Sequence, residues 1–279
     1  MQPRFDAYTA TTRVLSVNQA MSCIDFGSQF YKHGHGFKGF EHRISFIDTD
    51  QREIGSVQHG GIHGDLVMLE VKGERTPEFV DRLRSVAEHR CTRVDSCVDF
   101  EEAGAFDRLL GICLQVKKDH RLKGSKAGDW DDFPEEGRTL YLGASTSVAR
   151  ARLYEKGKQP EYRHLNRPDY CRVETQVRPA KDAKDTYSRA SAEDVWGASK
   201  WTRQLAALML ESQVSPLPAG SVRRETVRDH ALRFMCKQYG LHIQSLRTEL
   251  GSDEELGRVL ATMVQQQSLL AKSERKIKR

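Results

Sequence analysis

Three short segments of this chain alternate charged and apolar residues with a period of two, and that period most narrows what the chain can fold into. In residues 93–99, Arg93, Asp95, Cys97 and Asp99 fall on one side and Val94 and Val98 on the other. In 150–156, Arg150, Arg152, Tyr154 and Lys156 share a side, with Glu155 interrupting the apolar one. In 172–178, Arg172, Glu174, Gln176 and Arg178 oppose Val173 and Val177. Successive side chains of a strand point to opposite faces, so each segment reads as a strand with one wet side. One-sided burial is the habit of antiparallel sheets.

The surrounding chain supports the same class. Strands are expected at 42–48, 66–71, 92–100, 138–142, 148–155 and 170–178, with short ones at 15–17 and 23–26, the second of which reads equally as a loop entry. Residues 55–64 (GSVQHGGIHG) carry turn chemistry. Residues 76–89 read as a helix, with Thr76 as cap, Pro77 just inside, and Phe79, Leu83 and Val86 on one face; a second helix is expected over 101–116. A polar loop with an exposed Trp130 fills 117–137. The expected fold class is α+β, an antiparallel sheet with helices on one face, followed by a helical C-terminal segment. The expected domains are an α+β unit over 1–190 and a helical region over 191–279, with helices at 194–211, 222–239 and 253–270 and a linker at 215–220. The pentapeptides SCIDF (22–26) and SCVDF (96–100) hint at an internal repeat.

Composition excludes several classes. No apolar run approaches the ~20 residues of a membrane helix, and residues 1–12 lack the apolar core of a secretory signal. The six cysteines are scattered without a CxxC pair, which argues against a disulfide scaffold or zinc ribbon and for a reduced, cytoplasmic setting. A net charge of +5 is mildly basic, with basic stretches at 150–158 and 271–279 that suit phosphates or a solvated surface alike.

Stacked on one sheet, the three polar sides hold Asp95, Asp99, Glu174, Tyr154 and several cations. Carboxylates that converge repel unless a cation or a proton sits between them. Oxygen ligands with room for water and phosphate suit Mg²⁺ or Mn²⁺. A tyrosine beside such a cation can attack a phosphodiester, which its ordinary pKa near 10 would otherwise prevent. Alternation alone also fits a solvent-facing sheet side bearing ion pairs, the commoner outcome, with Tyr154 a packing residue. The spacing His33-Gly34-His35 does not favour a histidine metal site, because Gly34 cannot anchor the strand between them.

At RVDSCVDF (93–100), GRTLYLGASTS (137–147) with RARLYEKGKQ (150–159) close behind, and CRVETQVR (171–178), the chain resembles the Rep_trans rolling-circle replication initiators of plasmids, whose relatives serve filamentous phages. The resemblance covers residues 93–178 well and is weaker from about residue 14 and in the helical tail. It implies a metal-dependent, site-specific single-strand DNA nicking and religating enzyme that forms a covalent 5′-phosphotyrosine and frees a 3′-OH for polymerase. Tyr154 matches the family's nucleophile; Asp95, Asp99 and Glu174 match its metal-holding acids; Lys156 and Arg152 fall beside the scissile phosphate. The implied fold is that of nicking domains built on paired histidines, with carboxylates in their place.

Arg93, Arg150, Lys158, Arg172 and Arg178 would extend a basic track for DNA, fixing position without reading sequence. Origin recognition would then fall to the helical tail, the 117–137 loop or the basic terminus; 222–239, with Gly240 and a further helix, has the spacing of a helix-turn-helix or of plain helix packing. The implied partners are origin DNA, single-stranded or hairpin, a host helicase and a second copy of the chain, in a bacterial host's cytoplasm and without a membrane. Two other readings use the same surface: an origin-binding regulator without chemistry, and a nuclease whose attacking group is metal-activated water.

Overall fold

The sequence pattern predicts no strand before residue 15, yet the central strand of the molecule lies there. The computed structural model describes residues 2–28, 30–131, 136–220 and 227–277. Strand β1 (Arg4–Thr12) carries Tyr8 and Ala10 with no exposure at all, while Thr9 and Thr12 are also buried. Burial on both faces mutes the alternation that marks an ordinary strand, which is why β1 escapes a period-two reading.

The elements follow as α1 (Val17–Ile24), β2 (Phe30–His35), β3 (His42–Ile47), β4 (Glu53–His59), β5 (Val67–Lys72), α2 (Thr76–Val86), β6 (Arg90–Phe100) and α3 (Ala105–Asp119). Then come β7 (Gly124–Gly128), β8 (Arg138–Leu142), β9 (Ala149–Tyr154), β10 (Cys171–Val177), α4 (Ala183–Tyr187) and α5 (Lys200–Leu210), and lastly α6 (Val227–Leu250) and α7 (Asp253–Ile277). The ten strands form one sheet in the order β2-β3-β4-β5-β1-β6-β10-β9-β8-β7. Every pairing is antiparallel. The α+β class, with helices on one face and a helical C-terminal segment, is as expected.

Several elements differ from expectation for local reasons. The short strands expected at 15–17 and 23–26 are instead α1, started by a capping box in which Ser16 and Gln19 each bond the other's backbone N–H. The turn-like 55–64 begins inside β4: at Gly55 a Cβ would lie 2.6 Å from the Glu70 carbonyl, so glycine there serves close packing. The helix expected from 101 starts at Ala105, after Gly104 in a left-handed conformation (φ 73°). The polar 117–137 loop contains the edge strand β7, and Trp130 is half-buried against Phe106. No turn breaks α6 at Gly240; the helix runs on to Leu250, so the helix-turn-helix spacing is not realised. Residues 222–226 and 278–279, parts of an expected helix and of the basic terminus, lie outside the described residues, as do the side chains of 268–277.

The strand order contains a duplication. Each half of the sheet is a central strand, a helix, and a four-strand meander returning from the edge: β1-α1-β2-β3-β4-β5 and β6-α3-β7-β8-β9-β10. The two central strands pair antiparallel, with Ala7 opposite Asp95. Counted outward from that pair, Thr9–Glu70 in the first half corresponds to Cys97–Glu174 in the second, and Thr11–Met68 to Asp99–Arg172. The pentapeptides that hinted at a repeat are not its counterparts, since SCIDF closes α1 while SCVDF lies in β6.

Helices α1 to α5 cover one face of the sheet and bury its apolar rows. Tyr8, Phe46, Leu69 and Phe79 anchor the first half; Val98, Leu109, Leu153 and Trp196 anchor the second. Each such side chain withdrawn from water is worth about 1.5–3 kcal/mol. Trp196, wholly buried, donates its indole N–H to Ser96 Oγ at 3.0 Å. Residues 191–220 therefore belong with the sheet, in a first compact unit that does not end after residue 190. The second unit consists of α6 and α7. Among the described residues no helix is long and apolar enough to cross a membrane.

Candidate active site on the polar face

The face left free of helices carries the charged rows of β6, β9 and β10. Register aligns them: Asp95 faces Gln176, Cys97 faces Glu174, and Asp99 faces Arg172. Across the next ladder, Gln176 faces Arg150, Glu174 faces Arg152, and Arg172 faces Tyr154. Side chains opposite one another on a sheet lie within about 4.5–5.5 Å at Cβ, so three separate stretches of sequence become one surface.

Two charge clusters result. In the first, Asp95 accepts from Arg93 Nε at 2.9 Å and from Gln176 Nε2 at 3.1 Å, and has no exposure. Beside it, Glu174 Oε2 accepts from Arg152 Nε and NH2 at 2.8 and 2.6 Å. Burial, and then the adjacent Asp95 carboxylate with which it shares a hydrogen bond, push the Glu174 carboxyl up to about 8. The Glu174 carboxyl therefore keeps its proton at neutral pH.

The second cluster is organised by Arg172, whose side chain is only 2% exposed. Its guanidinium donates to Asp99 Oδ1 and Oδ2 at 2.5 and 2.8 Å, to Asp6 Oδ1 at 2.6 Å and to the Tyr170 hydroxyl at 3.2 Å. Arg4 NH2 adds a bond to Asp99 at 2.5 Å. Burial raises the Asp99 carboxyl, but the two guanidiniums more than offset this and hold it below the usual carboxylate range. Arg172, expected on the basic track for DNA, is thus an interior residue: a buried cation between two carboxylates is unavailable to an external phosphate.

Tyr154 stands between these clusters. The Arg152 guanidinium lies 4.5 Å from its ring centroid, and its hydroxyl makes no hydrogen bond among the described residues. Burial, then the Glu174 charge, raise its phenol well above the ordinary value, and only 4% of the residue is exposed. Lys156, also buried, has its ammonium 4.4 Å from the Tyr162 ring centroid; burial, then Arg172, bring its pKa down to about 8.

The structure brings Asp95 and Glu174 together, and Arg152 and Tyr154 to them, but not Asp99. Among the described residues no three His, Cys, Asp or Glu side chains cluster to hold a metal ion. The donor set of the acid pair nevertheless fits one hard cation: Mg²⁺ is commonly held by one or two carboxylates, with water and substrate phosphate completing its shell. A divalent cation would take the place of the Glu174 proton. In the other half of the sheet the histidines of β2, β3 and β4 form no metal cluster among the described residues either; His42 and His59 stack with centroids 5.0 Å apart.

Of the remaining expected DNA contacts, Arg93 is held by Asp95, Lys158 pairs with Glu155 at 2.9 Å, and Arg178 is exposed and donates to the Ser145 carbonyl at 3.2 Å. The Arg150 guanidinium lies 4.0 Å from the Tyr141 ring centroid, with its Nε buried and without a partner. Glu155, which interrupts the apolar side of β9, accepts from the Arg138 backbone N–H at 2.7 Å and from its guanidinium. Sequence reasoning missed Arg4 and Asp6 and placed Tyr170 only at the head of a strand; the three hold the second cluster. The run of Tyr and Thr in residues 8–12 was the available signal for β1 and thereby for Asp6.

No protein-family model and no curated protein sequence matches the chain. Among solved structures, the fold is similar to that of a rolling circle replication initiator protein from Geobacillus stearothermophilus, with a TM-score of 0.52, 16% sequence identity, and coverage of 79% of this chain and 99% of that one.

Proposed function

We propose that this protein is a Rep_trans-type rolling-circle replication initiator that nicks and reseals one strand of its origin DNA through Tyr154. The observation that carries the reading is a tyrosine with an unbonded hydroxyl, beside an arginine and the buried acids Asp95 and Glu174, on a fold similar to a replication initiator.

In this reading the Tyr154 oxygen attacks the scissile phosphorus, the bond to the 3′-oxygen breaks, and the phenolic proton is lost as the leaving 3′-oxygen gains one. A buried phenol is a poor nucleophile, so the charge that develops must be met by cations already in place. Arg152 supplies one over the ring, and Lys156 a second that changes charge near pH 8. Asp95 and Glu174 would hold Mg²⁺ or Mn²⁺, which when bound polarises the phosphate oxygens. Asp99 has a different part: with Asp6 it fixes Arg172, and so the register of β10 beside β6. Tyr154 is almost wholly covered, so attack on a strand requires its cover to be displaced. Transesterification keeps the phosphodiester's energy in the protein–DNA bond, which permits resealing after a round of synthesis.

The test is incubation with labelled single-stranded origin oligonucleotide and Mn²⁺, resolved on a denaturing gel. A band at the combined mass of protein and oligonucleotide is expected, and it is lost in Tyr154→Phe while DNA binding persists. Cleavage without that band would transfer the role of nucleophile to water, and undiminished nicking by the variant would take it from Tyr154.

A further inference from the structure

The duplication makes the first half of the polar face informative. Counterparts of the reacting residues there are unreactive: Gln58 stands in register where Tyr154 stands, Ser56 where Arg152 stands, and Met68 where Arg172 stands. Glu70 alone keeps the acid of Glu174. Yet Thr11 and Met68, the counterparts of Asp99 and Arg172, line a cavity of about 1080 Å³ at the far end of β1 and β6. Compared with sites for small molecules, typically ~300–1,000 Å³, it has the size for a nucleotide.

The lining has two characters. Phe40, Leu66 and Met68 make an apolar floor, with the His63 ring tilted against Phe40 at 4.5 Å between centroids. Around it stand six Lys or Arg residues against two carboxylates, Glu88 and Asp185. Three of these cations are tied: Arg13 to Asp65, Arg84 to the Ser188 and Ala190 carbonyls, and Arg90 to Asp185. Lys38, Lys184 and Arg189 make no ion pair among the described residues. Burial holds the neighbouring His89 imidazole below its ordinary pKa and therefore neutral at pH 7, with Nε2 bonded to the Tyr8 hydroxyl. An apolar platform beside uncommitted cations is the pattern that receives a base and its phosphate.

We propose that this cavity is a second nucleotide-binding subsite, which holds a phosphate-bearing nucleotide unit without cutting it. The cavity and the tyrosine sit at opposite ends of the central strands. From Asp99 to Arg90 along β6 is nine residues, about 30 Å at the ~3.3 Å rise of a strand. At the 3.4 Å per nucleotide of a stacked strand, that separation is roughly nine nucleotides. The assignment of DNA as the strand rests on the replication-initiator reading; the cavity's chemistry does not. The ligand is a nucleotide phosphate, whether free in solution or part of the strand.

The experiment measures affinity of the full chain for two probes, a 30-nucleotide single strand and deoxyadenosine 5′-monophosphate, across a salt series. The variant is Lys38→Glu with Arg189→Glu, both exposed cations outside the tyrosine site; Lys118→Glu on α3 is the remote control. Two lost phosphate contacts lower the slope of log K against log salt by about 1.4, which is roughly 25-fold weaker binding at 0.1 M salt. Weakened binding of both probes supports a site that accepts free nucleotides; weakened binding of the strand alone supports a strand subsite. An unchanged Kd and slope for both probes, or an equal loss in Lys118→Glu, overturns the proposal. Covalent adduct formation at saturating DNA is expected to be unchanged in the double variant. Were no adduct formed by any form of the protein, the nicking reading would fail while the cavity result stood or fell by itself.

Discussion

The proton that Glu174 keeps in the fold makes the stability of this protein depend on pH in a way that one substitution removes. Glu174 has an ordinary pKa of 4.5 and is pushed up to about 8 in the fold by burial and by Asp95. An acid raised in this way leaves full stability below pH 4.5, where folded and unfolded forms are both protonated. Between 4.5 and 8 the unfolded chain ionises while the folded one does not, so stability falls as pH rises and is fully lost above 8. At 1.36 kcal/mol per unit, a difference of 8 − 4.5 = 3.5 units amounts to at most about 5 kcal/mol. Glu174→Gln keeps the shape and a hydrogen bond but cannot ionise. Denaturant unfolding of both proteins from pH 5 to 9 is the assay, and the quantity of interest is their difference, in which common groups cancel. His89, lowered by burial, is one of these: it acts in the opposite sense below about pH 6.5 in both proteins. The variant is expected to gain on the wild type with rising pH up to about 8 and then to hold level. Mn²⁺ binding by the wild type at pH 7 is expected to release about one proton per ion, read as the dependence of binding heat on buffer ionisation, and Glu174→Gln is expected to release none. A pH-independent stability difference would refute the retained Glu174 proton, and with it the argument that a cation replaces it.

Two further outcomes test the framework around the site. Arg172→Leu leaves Asp6 and Asp99 buried without their cation, and a loss of about 3–5 kcal/mol in unfolding free energy is expected; a change below 1 kcal/mol would show that Arg4 alone satisfies them. Removal of residues 2–12 deletes the strand that joins the two halves of the sheet, and loss of the cooperative thermal transition by circular dichroism is the expected result. A retained transition would mean that each half folds by itself.

The polar face was legible where it depended on period. Residues 93–99, 150–156 and 172–178 show their wet and dry sides in the sequence, and the structure keeps Asp95, Glu174, Arg152 and Tyr154 on one face. Residues 42–47 and 67–72 were legible for the same reason. Less visible were elements whose surroundings suppress alternation. β1 is buried on both faces, and β2 is an exposed edge along its whole length, so neither shows two unlike sides. For α1, the Ser16–Gln19 capping box was present in the sequence but was outweighed by the short β-like runs around it. Asp99 illustrates a different limit. Its position on the polar side is a matter of period, but its partner is decided by Asp6 and Arg4 arriving from the N-terminal strand, 93 and 95 residues away in sequence.

The sequence by itself determined which side chains share a face, because the direction of a side chain is set by the backbone dihedrals of its own strand. It determined too that one face of the sheet is apolar and must be covered by helices, since burial is the main force available to a chain of this composition. Only the tertiary structure decided which strands are neighbours, and therefore which charges meet. Cross-strand register couples residues far apart in the chain, and no local periodicity records it. That is why the pairing of Asp95 with Glu174, the withdrawal of Asp99 and Arg172 into an ion network, and the duplication that sets a cavity opposite the tyrosine all emerge with the folded sheet.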